Sequence, residues 1–87
     1  MQSLLFSKGE YMDIGNHVYY CEVLPNVGVY EIIELIIRTV GDGYYVGVDE
    51  KTKQAQLFTT NMIDEYVFVS RADAIEALKI FRGKNDD

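Results

Sequence analysis

His17 and Cys21 are the side chains with the most versatile chemistry in this 87-residue chain. An imidazole beside a thiolate can begin a metal site or a nucleophile–base pair. Four positions apart in an extended segment, they share a face, with α-carbons about 13 Å distant. That is too wide for a direct hydrogen bond. Neither further ligands nor an orienting acid with an oxyanion hole accompany them at a fitting spacing. The pair therefore reads as a strand-end histidine and a small buried cysteine, and no catalytic, metal or cofactor-binding residue is assigned.

The carboxylates give no acid–base pair either. Glu31 and Glu34 fall on opposite faces if their segment is extended. Asp49-Glu50 and Asp64-Glu65 are adjacent acidic pairs in expected loops, without the calcium-loop pattern, and read as solvated turn charges. Gly41-Asp42-Gly43 is followed by a strand rather than a helix, so it is a turn former and not a phosphate cradle.

Tyrosine is the surplus residue. Tyr11, Tyr19, Tyr20, Tyr30, Tyr44, Tyr45 and Tyr66 are too many for so small a core. Regular pairing would turn one of Tyr19/Tyr20 and one of Tyr44/Tyr45 outward. Exposed tyrosines are common interface anchors. Tyr19, Tyr30, Tyr44, Glu31, Glu34, Asp49 and Glu50 are accordingly the candidate binding residues, an acidic, tyrosine-bearing face.

Charge narrows the partner. Eight basic residues against fourteen acidic ones give −6. Residues 1–40 carry two positive and five negative charges, and residues 41–87 six and nine, so each part stands at −3. Such a domain repels phosphate backbones, and between residues 11 and 48 the only basic side chain is Arg38. Nucleic acid is thus disfavoured and a protein partner, a basic one, is expected. One cysteine excludes an internal disulfide framework. No apolar run approaches the ~18 residues of a membrane span and no leader pattern opens the chain, so the expected location is the cytoplasm.

The elements that must position these residues are mostly strands. Residues 1–15 read as an N-terminal arm whose Leu4, Leu5 and Phe6 are expected to cover one end of a single domain spanning 16–83. HVYYCEVL, from His17, is rich in Val and Tyr and forms the first strand. Pro25 to Gly28 is a turn. VYEIIELIIRTV, from Val29, fits helical spacing at Val29, Ile32, Ile33, Ile36, Ile37 and Val40. Yet seven of its twelve residues are β-branched and a Gly-Asp-Gly turn follows. It is read as a long strand that bends to serve both halves of a small barrel. Further strands are expected at 44–49, 54–59 and 66–69, with one helical turn at 60–65. Ser70 caps a helix over 71–82 whose buried stripe is Ala74, Ile75, Leu78 and Phe81, ended by Gly83, with 84–87 fraying.

A five-strand meander with one helical turn before the last strand, then a C-terminal helix, has the layout of a small Src-homology-3-like barrel. GNHVYY (from Gly15), LIIRTVGDGYYVGVDEKTKQAQLF (from Leu35) and YVFVSRADAIEALK (from Tyr66) resemble a group of small uncharacterised proteins of Gram-positive bacteria and their phages. Members usually carry Asp where Asn16 stands. The resemblance implies the mainly β fold and brings no activity with it. The expectation is a non-enzymatic protein-interaction module, a phage or mobile-element accessory protein binding or inhibiting a basic host protein. Two alternatives stand beside it: a translation- or nucleic-acid-associated barrel binding RNA or DNA through loops, and a homo-oligomeric small-ligand binder joined at an open strand edge.

Overall fold

One antiparallel sheet, ordered β4-β3-β2-β1-β5, carries the architecture. The structure is a computed structural model that describes residues 12–85. The strands are β1 (His17–Leu24), β2 (Val29–Val40), β3 (Tyr44–Val48), β4 (Ala55–Thr59) and β5 (Val67–Phe68), and the helix is α1 (Arg71–Asn85). Single 3-10 turns lie at Pro25–Val27 and Thr60–Met62. The strands curl into a half-barrel, with α1 packed across its β5-β1-β2 side.

The isoleucine-rich segment is extended throughout. Its helical spacing arises because both faces of β2 are apolar: Ile33, Leu35 and Ile37 point into one cluster and Ile32 into another. β2 pairs with β1 from Val29 to Ile36 and with β3 from Ile36 to Val40, so it bends where it changes partner. The register slips between Ile37 and Thr39, the place of a β-bulge. Gly47 is paired with Ile37 there. A Cβ on Gly47 would lie 2.8 Å from the Cβ of Leu35, so the close approach of β3 to β2 here requires glycine.

Two apolar clusters sit on opposite faces of the sheet. The larger holds Met12, Val18, Leu35, Ile37, Tyr45, Phe58, Ile63 and Val67. The smaller, under α1, is built on Cys21, Phe68 and Ala74. Met12 thus belongs to the core, and the chain after it extends the sheet: Gly15 N–H donates to Ile37 O (2.8 Å) and Ile37 N–H to Asn16 O (2.9 Å). Leu4, Leu5, Phe6 and the rest of residues 1–11 lie outside the described residues, as do 86 and 87.

Several expectations need correction. Tyr44 and Tyr45 divide as expected, one 39% and the other 5% exposed. Tyr19 and Tyr20 do not: both are half-buried, Tyr19 against the α1 cluster and Tyr20 against the larger one. The cause is cover on both faces of β1 at these two positions, by α1 on one side and by the larger cluster on the other. On α1, Ile75 is 40% exposed, and Ala77 completes the stripe with Ala74, Leu78 and Phe81. Gly83 does not end the helix, which runs on to Asn85. Gly83 is absent from the left-handed backbone positions that Gly15, Gly28 and Gly43 occupy, so it makes no C-terminal cap. The loop strands are also shorter than expected, β3 ending at Val48, β4 starting at Ala55 and β5 holding only Val67 and Phe68. Ser70 does cap α1, its Oγ accepting the Asp73 N–H at 3.4 Å.

Candidate functional site

Antiparallel register fixes which side chains share a face. His17, Tyr19, Cys21 and Val23 of β1 oppose Ile36, Glu34, Ile32 and Tyr30 of β2 on the α1 side. Val18, Tyr20, Glu22 and Leu24 oppose Leu35, Ile33, Glu31 and Val29 on the other. Glu31 and Glu34 therefore flank one strand on opposite faces, as their spacing requires.

Beyond Ile36↔Val48 the β3-β4 hairpin leaves β2. A groove of about 320 Å³ opens between the first half of β2 and the hairpin loop, bounded by the start of α1. Glu31, Glu34, Asp49 and Glu50 line it, together with Lys51, Arg71 and His17. A smaller cleft of about 30 Å³, lined in part by Tyr20, Ile33 and Gln56, lies on the opposite side of the same strand. Asp49 lines both, so the hairpin loop faces the strand edge across the gap.

Each side chain has a local reason for its place. His17 sits diagonally across from Glu34, and its Nδ1–H donates to Glu34 Oε2 at 2.6 Å. Both side chains remain about half exposed. Asp49 shapes its own loop: its carboxylate accepts the Lys51 N–H at 2.8 Å, and its backbone exchanges bonds with Gln54 and Lys53. Lys53 completes that loop in a left-handed conformation, φ 64°. Glu31 stands directly opposite Glu22. Like charges at that distance destabilise a sheet, so this pairing is held by the rest of the fold.

Of the seven candidate residues read from sequence, the groove brings together Glu31, Glu34, Asp49 and Glu50. The tyrosines lie elsewhere. Tyr19 is half-buried beneath α1, Tyr30 has the Arg82 guanidinium 5.5 Å above its ring, and Tyr44 rests over Gly41 at a turn. Sequence reasoning missed His17, Lys51 and Arg71 as groove residues. The alternation of β1 against β2 could have placed His17 beside Glu34 once the register was known. Nothing local to Arg71 points to it.

The Cys21 thiol is closed off from solvent. Cys21 is 1% exposed, and its Sγ–H donates to Ala74 O at 3.5 Å. Burial pushes its thiol above the ordinary range. Burial, then the charges of Glu22 and Tyr66, raises the Tyr20 phenol as well. Among the described residues no group of three or more His, Cys, Asp or Glu could hold a metal ion, and no helix is long and apolar enough to cross a membrane.

A second acidic hollow, shallower and of about 400 Å³, lies over Phe81 and Ile80, with Asp64, Glu65, Asp73 and Glu76 on its walls. Eight acids thus lie at these two places, four at each, while Asp13, Glu22 and Asp42 lie outside both. Comparison with protein-family models, with curated proteins and with solved structures finds no match.

Proposed function

We propose that the chain is a non-enzymatic protein-interaction module whose groove beside β2 receives a basic segment of a partner protein. One observation carries the reading: four carboxylates from two separate segments, Glu31 and Glu34 on β2 and Asp49 and Glu50 on the hairpin loop, line one groove against two cations, Lys51 and Arg71. A cationic segment entering there meets an attractive field at close range, and the same field repels nucleic-acid phosphates. The burial of Cys21 beneath Ala74 and the engagement of His17 by Glu34 support a binding rather than a catalytic role. The sheet order and the 3-10 turn shortly before the short last strand support a Src-homology-3-like grouping. The resemblance to proteins of Gram-positive bacteria and their phages supports an accessory role toward a basic host protein.

The test is a fluorescence-anisotropy titration with a lysine-rich peptide, its glutamate-substituted counterpart, and a duplex DNA of similar length. The lysine peptide binds, loosening at least tenfold between about 50 and about 500 mM salt. Equal binding of the glutamate peptide, or DNA binding in its place, contradicts the reading.

A further inference from the structure

Successive residues of a strand turn their backbone N–H and C=O groups to alternate edges. Ile37 bonds through both groups to Gly15 and Asn16, on the β1 side. Leu35, Ile33 and Glu31 turn the same way by alternation, which suits their pairing with Val18, Tyr20 and Glu22. Ile32 and Glu34 must therefore present their groups to the opposite edge. That edge is the one β3 follows no further than Ile36. Among the described residues no strand pairs with it between Val29 and Leu35. The groove is thus a place where two residues' backbone donors and acceptors meet solvent beside a row of carboxylates.

We propose that the basic segment docks there as an added strand, bonded to the backbone of Ile32 and Glu34; this rests on the reading of the groove given above. Main-chain bonds supply the register and side chains the selectivity. The sequence of β2 dictates what fits. Glu31 and Glu34 lie three apart and on opposite faces, with Ile32 and Ile33 between them. An added strand set against these four positions places a cationic residue beside each glutamate and two apolar residues between. The motif is Lys/Arg, apolar, apolar, Lys/Arg.

A second copy of this chain is a poor occupant. Self-pairing at this edge brings the groove carboxylates of two protomers, Glu31, Glu34, Asp49 and Glu50 of each, to one seam, and the repulsion among them opposes association.

The experiment follows amide hydrogen exchange by NMR on the ¹⁵N-labelled protein, with and without a capped peptide containing Lys-Val-Val-Lys. A peptide of the same sequence with its central amides N-methylated serves as the control. Strand addition slows exchange at Ile32 and Glu34 at least about tenfold on binding, and N-methylation removes most of that binding. Salt-sensitive binding that leaves Ile32 and Glu34 unchanged overturns strand addition and spares the charge reading of the groove. No binding at all overturns both. Protection at Ile32 and Glu34 that rises with protein concentration in the absence of peptide makes a second copy the occupant and overturns the proposal.

Discussion

Leu35 fills the space that a side chain at position 47 would need: a Cβ on Gly47 would stand 2.8 Å from Leu35 Cβ and 3.2 Å from its Cδ1. Leu35 is 1% exposed in the larger cluster, so it has nowhere to retreat. This close approach lies where β2 bends from one partner to the next. It also sets where the hairpin leaves the β2 edge. Gly47→Ala therefore destabilises by about 1–3 kcal/mol in urea unfolding. Because the nearest atom is a Cβ, Leu35→Ala does not rescue it. Restoration of stability in the double variant would contradict this contact.

Glu31 faces Glu22 across the ladder, and replacing it has two opposing consequences. Glu31→Lys replaces repulsion by attraction between exposed or half-exposed groups and raises stability by about 0.2–1 kcal/mol. The same change puts a cation in the groove and weakens capture of the lysine peptide at least severalfold. A rise in melting temperature with loss of binding is the expected signature. Loss of both would mean that Glu31 acts through the fold.

Helix α1 meets the sheet at Ala74, which is fully buried, and not at Ile75, which is 40% exposed. Ala74→Leu has no room over Cys21 and destabilises by about 1–3 kcal/mol. Ile75→Ala removes a largely solvated side chain and changes stability by less than about 1 kcal/mol. Denaturation of the two variants side by side checks the rotation of the helix, since a helix turned by one residue reverses the order.

Alkaline pH should loosen the fold through buried acids. The Cys21 thiol is raised by burial above its ordinary value of 9.0, and the Tyr20 phenol is raised above 10.0 by burial and then by neighbouring negative charge. The folded state holds both groups neutral, so their contribution is intact below those ordinary values. It is lost as pH rises from about 9 through the folded-state values, because the unfolded chain ionises first. Melting temperature measured against pH shows the decline, and Cys21→Ala removes its first part. At neutral pH the native thiol resists iodoacetamide and reacts once urea unfolds the chain.

Much of this architecture was legible because local chemistry and the tertiary structure agree. The β-branched run from Val29 to Val40 outweighed its helical spacing, since a strand apolar on both faces produces that spacing by accident. Turn glycines at 28 and 43 do take left-handed conformations, φ 69° and 86°. What stayed hidden depends on distant partners. The orientation of α1 hinges on the small Ala74 meeting Cys21, and hydrophobicity alone favours Ile75 for that face. Gly83 continues the helix because no left-handed turn is imposed there. Four candidate acids share a groove because the hairpin diverges at Val48, a property of the sheet's curl. Tyrosine abundance pointed to a recognition face, but Tyr19, Tyr30 and Tyr44 lie away from the groove, two of them half-buried.

The exposed edge of β2 is open to direct measurement in the unliganded protein. Amide exchange along residues 31–35 should alternate, with Ile33 and Leu35 strongly protected through β1 and Ile32 and Glu34 exchanging at least about a hundredfold faster. Uniform protection from Ile32 to Leu35 would show that this edge is already covered, and the groove would then have no backbone to offer a partner.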